Sequence, residues 1–356
     1  MIGSLSVYRG KKIFVTGHTG FKGSWLISWL HTLGAEIKGY ALAPEHSNGI
    51  YSVIGGNSLC NSIIADIMDE EKLTSEIVAF KPDFIFHLAA QPLVRLSYKK
   101  PVQTFGTNVT GTAHILNAVR SLDNPCSVVI ITTDKVYENR EWTYPYREVD
   151  ALGGYDPYSA SKACAEIVVS SFRQSFFNAG DFNTHKKAIA SARAGNVIGG
   201  GDWSDDRIVP DIIRSLTAGK KINVRNPHAI RPWQFVLEPI YGYLLLGSAM
   251  SVEPEKFGGA FNFGPYSTDF MPVGQLVENA IRHWGSGEAE FPANENQPHE
   301  AGILKLDISK AIDTLNWTPK LSSSEAIEWT INWYKMAKDR CKSYTFDQIA
   351  AYHLLQ

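Results

Sequence analysis

Residues 131–139 read ITTDKVYEN, which sets the hydroxyl of Thr133, the carboxyl of Asp134 and the amine of Lys135 side by side at the end of an apolar run. Each group can move a proton or orient one, although a solvated loop would carry the same residue types. Further on, YDPYSASKACAE holds Tyr158 and Lys162 four positions apart. Asp156 can cap a helix there and Pro157 can begin it. On that helix, residues i and i+4 share a face roughly 6 Å apart along the axis. A phenol titrates near ~10 in water, and neighbouring positive charge favours phenolate and brings it toward neutrality. That makes a base able to take a hydroxyl proton while hydride leaves the same carbon. The Tyr-x-x-x-Lys spacing by itself is also that of an ordinary surface pair.

A hydride needs an acceptor, and the chain start supplies a place for one. VTGHTGFKG carries Gly17, Gly20 and Gly23 between a β-branched run and an amphipathic segment. Glycine permits a tight turn with positive φ and lets backbone N–H groups approach a pyrophosphate. The start of the following helix adds partial positive charge. A strand before, a helix after and a βαβ series beyond are the context in which this turn binds a dinucleotide. The end of the second strand, GYALAPEH, offers no acid for a ribose diol before Glu45 and no arginine for a 2′-phosphate. Asp66 is placed either to meet an adenine amino group or to cap a helix. HLAAQ (87–91) leaves a fourth strand with small residues that suit backbone lying against a cofactor.

The elements that must position these groups alternate. Strands are expected at 11–17, 36–42, 61–66, 82–90, 126–134 and 188–195, with helices after the glycine turn, at about 70–80, at 101–122 and at 157–178. Short continuous apolar strands between helices mean a parallel sheet covered on both faces. Right-handed crossovers then give an α/β doubly wound sheet. Beyond about 195 glycines and prolines thicken, which reads as a smaller substrate-binding lobe. The expected division is 1–195 as the dinucleotide-binding domain, with 233–264 returning to it, and 196–232 and 265–356 as the lobe. With 356 residues, 44% hydrophobic and 20% charged, the chain can bury a real core. A formal net charge of −2 argues against a nucleic-acid partner. Four scattered cysteines without a CxxC pair or clustered His point to neither a disulfide framework nor a metal site. The start lacks a signal-peptide run and YGYLLLGSAM is too short to span a bilayer, so a cytoplasmic location and no membrane contact are expected.

From the glycine turn to about residue 335 the chain resembles the extended short-chain dehydrogenase/reductases, and within them the nucleotide-sugar 4,6-dehydratases. GHTGFKGSW, TTDKVYEN and SARAGNVIGGGDW carry the likeness, which points to members acting on CDP-glucose. Such enzymes oxidise C4 of a hexose with NAD, eliminate water across C5 and C6, and return the hydride to C6. Their motif has glutamate after the Thr-Asp pair, where this chain has Lys135. The resemblance implies NAD held by Gly17, Gly20, Phe21, Gly23, Asp66, Ile67, Leu88, Ala89, Ala90, Gln91, Thr132, Tyr158 and Lys162. It implies Tyr158 as the base at C4, Thr133 as its hydrogen-bonding partner and Lys162 as holder of the nicotinamide ribose. Asp134 would protonate the departing hydroxyl and Lys135 would take the C5 proton. Asn196, Arg207, Val224 and Arg231 would meet the nucleotide and its phosphates. A homodimer or a dimer of dimers through helices 101–122 and 157–178 is also implied.

Those roles ask for a protonated Asp134 and a neutral Lys135, against references near ~3.9 and ~10.4. Burial favours both neutral forms and mutual attraction favours both charged ones, so a pair sharing one proton stays open. No physical feature selects cytosine over uracil or thymine. A nucleotide-sugar 4-epimerase would share Tyr158 and Lys162 but has no use for Asp134-Lys135. A non-catalytic dinucleotide sensor would have no need of any of them.

Overall fold

The computed structural model describes residues 4–224, 226–269, 271–291 and 304–356. Seven strands form one parallel sheet: β1 (Lys12–Thr16), β2 (Glu36–Ala41), β3 (Asn61–Ile64), β4 (Phe84–His87), β5 (Cys126–Ile131), β6 (Lys187–Ala194) and β7 (Gly259–Phe263). Their spatial order is β7-β6-β5-β4-β1-β2-β3. Alternate side chains enter separate cores. Ile13, Val15, Phe84, Phe86 and Val129 join one layer, while Phe14, Ile85, Val128 and Ile130 join the other. Apolar burial on both faces explains why these strands read as continuous rather than alternating runs. The expected α/β doubly wound class holds, and six of the strands fall where the sequence placed them to within a few residues.

The order reverses between β1 and β4, and ligands of such sheets bind at the carboxyl ends there. Gly17 follows β1 with φ +72°. A Cβ on it would lie 2.7 Å from the Ala89 nitrogen, in the segment leaving β4. The Thr16 hydroxyl clamps the same place by accepting from the Leu88 and Ala89 amides at 3.1 and 3.2 Å. Gly17→Ala therefore combines backbone strain with a collision between two strand ends. It is expected to abolish dinucleotide binding, and calorimetric titration with NAD checks this.

Helix α1 (Phe21–Thr32) leads from the turn to β2, and α2 (Glu70–Phe80) from β3 to β4. Asp69 caps α2 by accepting from the Lys72 amide, so the capping alternative for Asp66 does not apply. The helix expected at 101–122 runs over 101–120 as α3, with a π turn at Gly106–Thr110 in its middle. The extra residue of a π turn re-aims a side chain. Here Asn108 accepts from the Gln91 amide at 2.8 Å and donates to Ser161 at 2.8 Å. The loop after β4 is thereby tied to α4 (Pro157–Ser175), which begins as expected with Asp156 accepting from the Ser159 amide.

Beyond β6 come α5 (Ile208–Thr217), α6 (Leu237–Val252), α7 (Val273–Trp284), α8 (Ser323–Lys335) and α9 (Cys341–Leu354). Short strands Asn196–Ile198 and Trp233–Phe235 pair in parallel, outside the main sheet. Part of the segment assigned to the lobe, 292–303, lies outside the described residues. No helix among the described residues is long and apolar enough to cross a membrane.

One buried carboxyl fastens the carboxy-terminal third. Glu238, in the first turn of α6 and wholly buried, accepts from the Lys320 and Leu321 amides at 2.9 and 2.7 Å and from the Tyr352 hydroxyl at 2.6 Å. Burial outweighs these donors and pushes the acid up to about 7. A folded-state value above the unfolded one adds stability that is complete below the ordinary carboxylate range and is lost as pH rises through about 7. The size is about 3 kcal/mol. Glu238→Gln, which mimics the protonated acid, is expected to flatten that slope; urea unfolding of both proteins at pH 5 and pH 8 measures it, and parallel slopes would refute it.

Candidate active site

Strand β5 ends at Ile131 and delivers Thr132, Thr133, Asp134 and Lys135 to the edge of a cavity of about 540 Å³. Tyr158, Phe21, Asn196, Arg207 and Arg231 line the same cavity. Thr133 caps a single 3-10 turn at Asp134–Val136, so the loop is a built bend rather than a solvated run. Its hydroxyl donates to Asp134 Oδ1 at 2.9 Å. The other oxygen, Oδ2, faces Gly195, where a Cβ would approach it to 3.2 Å. Asp134 is 2% exposed, and burial raises its pKa despite Lys135, the Thr133 hydroxyl and Arg231, all of which pull it down. For the acid of the pair, desolvation wins.

Tyr158 and Lys162 share one buried face of α4. The phenol, expected to be drawn toward neutrality by neighbouring charge, is instead pushed up to about 12 by burial, opposed first by the Thr133 hydroxyl and then by the Arg207 charge. Lys162 was expected to be the cation beside Tyr158, but Arg207 is the one that acts most strongly on it. Lys162 Nζ instead donates to the Ile131 carbonyl at 3.1 Å, gripping the end of β5. Burial brings Lys162 down to about 8.

A buried network fixes the strand end from behind. Glu166, one turn after Lys162, accepts from the hydroxyls of Thr132 at 2.5 Å and Ser191 at 2.7 Å and from Arg193 Nη2 at 2.9 Å. Arg193 also donates to the Tyr137 hydroxyl at 2.9 Å, which donates to Asn262 of β7 at 2.7 Å. A buried ion pair contributes little net stability unless its remaining hydrogen bonds are made; here the carboxylate has three donors. The Thr132 hydroxyl is thus committed to Glu166, and what it offers the cavity is its remaining surface. Glu166 and Arg193 were not singled out in the sequence, although the i+4 spacing from Lys162 was a usable signal.

The residues present suit a dinucleotide. A Cβ on Gly23 would fall 2.1 Å from the Gly17 carbonyl, so the turn is closed to any side chain and leaves backbone exposed. Gly20 precedes α1 without a side-chain cap, so no cap competes for the first amides of the helix. At the end of β2, where no acid was found, the His18 ring packs over Gly39 and bonds Ser62 at 2.7 Å. Asp66 is exposed, with Oδ1 accepting from the Met68 amide, and Ile67 is buried against Gly111. Leu88, Ala89 and Ala90 are half-buried in the crevice. Gln91 spends its side chain on Leu93 of its own loop and on Thr104 of α3.

At the other end the placement is mixed. Asn196 and Arg231 reach the cavity, and Arg207 does so while paired with Asp202 at 2.9 Å. Val224 does not: it is wholly buried in the core, its amide bonded to the Glu290 carbonyl. Val224, which the resemblance places against the nucleotide, stands beside the two-residue strand Ile222–Asn223 and packs the lobe. Among the described residues no group of three or more His, Cys, Asp or Glu is placed to hold a metal.

The GDP-mannose 4,6 dehydratase family matches residues 14–330. The chain is 49% identical over 328 residues to a CDP-glucose 4,6-dehydratase of Salmonella typhimurium, covering 92% of this chain and 91% of that one. In fold it is similar to a dTDP-glucose 4,6-dehydratase of Bacillus anthracis solved with NAD, at TM-score 0.76 and 20% identity, covering 94% of this chain and all of that one. A UDP-glucose 4-epimerase of Thermotoga maritima superposes with TM-score 0.76 at 21% identity, over 91% of this chain and 98% of that one. A match across most of the chain, joined to the glycine turn, the Tyr158/Lys162 face and the strand-end triplet around one cavity, establishes that this protein belongs to the GDP-mannose 4,6 dehydratase family of extended short-chain dehydrogenase/reductases.

Proposed function

We propose that the chain catalyses the NAD-dependent 4,6-dehydration of CDP-glucose to CDP-4-keto-6-deoxyglucose. The observation that carries this reading is a buried Asp134 and an adjacent Lys135 facing the cavity that holds Tyr158, in a chain 49% identical to a CDP-glucose 4,6-dehydratase. An epimerase needs only the tyrosine side of that cavity.

Gly17, Gly20 and Gly23 of the glycine turn and the crevice after β4 would hold NAD, which when bound would supply the hydride acceptor for C4, the hydride returned to C6 and the positive charge of its oxidised ring. Tyr158 takes the C4 hydroxyl proton, with Thr133 and Arg207 favouring the phenolate. Lys162 holds the end of β5 and would hold the cofactor ribose. The C4 ketone acidifies the neighbouring hydrogen, which passes to Lys135. Asp134, whose carboxyl is biased toward the protonated form by burial, gives its proton to the departing C6 hydroxyl. Arg231 and Arg207 add positive charge to a cavity that must take a pyrophosphate, a task suited to the guanidinium fork. Asn196 supplies a further polar contact.

The outer faces of α3 and α4 expose Val102, Phe105 and Ile167, with Phe176 exposed just after α4, which supports pairing of two copies through these helices. A cytoplasmic location completes the reading. The test is incubation with CDP-, dTDP-, GDP- and UDP-hexoses followed by mass spectrometry. Loss of one water from CDP-glucose is expected; unchanged mass with inverted C4 would replace dehydratase by epimerase.

A further inference from the structure

The second residue of α1 is a lysine that none of the roles above employs. Lys22 lines the catalytic cavity beside Phe21. Its Nζ makes no hydrogen bond or ion pair among the described residues and lies 6.0 Å from the ring centroid of Tyr243 on α6. The Tyr243 hydroxyl, in turn, is buried without a partner. A lysine present only for its stem carries its ammonium out to water. This one ends among Arg207 and Lys162, which repel it, and Asp134, which attracts it. Arg207 is held by Asp202 and Lys162 by the Ile131 carbonyl, so neither is free to leave. Lys22 is half-buried and lines the cavity without a protein partner for its ammonium, so a ligand that displaces water from the cavity must complete its hydrogen bonds. The acceptor must come from whatever fills the space in front of Asp134.

We propose that Lys22 is a further catalytic residue of the elimination, its ammonium donating a hydrogen bond to the hexose oxygen that departs while Asp134 supplies the proton. This rests on the dehydratase reading. In the step the C6–O bond breaks, the Asp134 proton goes to that oxygen, and the C5 proton goes to Lys135. The electrons of the C5–H bond form the C5–C6 double bond. Lys22 keeps its proton and shares the charge that builds on the oxygen, the work of a pre-placed donor in a dry site.

The pH sign follows from the surroundings. Burial, Arg207 and Lys162 together bring Lys22 down to about 7, with Asp134 opposing. The donor is therefore complete below about pH 7 and lost above it, and kcat/KM, which reports the free enzyme, falls on that side.

Wild type, Lys22→Met and Lys22→Arg are compared with CDP-glucose by mass spectrometry for water loss and by rapid mixing for the reduced-nicotinamide absorbance. Removing one such donor costs on the order of 10²-fold in turnover, so Lys22→Met is expected to lose water that much more slowly while the absorbance still rises. Lys22→Arg, charged at every accessible pH, is expected to move the alkaline fall of kcat/KM upward. The proposal is overturned if Lys22→Met releases water as fast as wild type, or if it loses C4 oxidation and water loss together at unchanged melting temperature. Should Lys22→Met not fold, the wild-type and Lys22→Arg pH profiles decide, and identical profiles overturn it. A wild-type protein that dehydrates no nucleotide sugar sinks the dehydratase reading instead.

Discussion

Tyr158→Phe is expected to lower turnover of CDP-glucose by on the order of 10³-fold, with no reduced-nicotinamide signal on mixing. The phenol is buried, the Thr133 hydroxyl and the Arg207 charge act to lower its pKa, and among the described residues it is the one group of α4 that lines the cavity. Without it the C4 hydroxyl proton has no acceptor, and every later step depends on the ketone. The change removes one oxygen from a tyrosine that is 9% exposed, so melting should shift little. Rapid-mixing absorbance separates the cases: a normal burst in Tyr158→Phe would mean that another group deprotonates C4 and that the site is assigned wrongly.

Lys135→Met is expected to give the opposite pattern. C4 oxidation survives, seen as rising absorbance of reduced nicotinamide, while water loss falls by on the order of 10²- to 10⁴-fold, the range for a positioned base. Lys135 stands next to Asp134 and lines the cavity, and among the described residues no hydrogen bond or ion pair joins it to the Glu166–Arg193 network that holds β5. The oxidising half of the site should therefore be untouched. Asp134→Asn should show the same split, since an amide cannot supply the proton. Mass spectrometry in deuterated solvent completes the test, because solvent label at C5 without loss of water would show that proton abstraction outlives elimination. If Lys135→Met releases water normally, lysine is not the base, and the glutamate usual in this motif has no replacement at that position.

Much of the fold was legible because its signals are local. β1, β4 and β5 were short, mainly apolar runs, and β2, β3 and β6 stood between helical segments. The glycine turn announced itself by residue type, since only glycine tolerates φ +72° and a backbone neighbour 2.7 Å from an added Cβ. Tyr158 and Lys162 were legible as a pair because helical periodicity puts i and i+4 on one face. Their convergence with Thr133 rested on resemblance, and the cavity shows the physical arrangement behind it.

What the sequence determined by itself is thus the set of chemical groups and the short elements that carry them. Tertiary structure alone decided which groups are dry and which charges face which. Burial raises Asp134 against three neighbours that lower it, and Gly195, distant in the chain, lies against its Oδ2. Arg207 rather than Lys162 acts most strongly on Tyr158, and Val224 packs the lobe instead of meeting a ligand. Lys22 enters the site only because α1 and α6 meet behind it. Desolvation and Coulomb forces act through space between residues far apart in the chain, so no spacing rule along the sequence can report them.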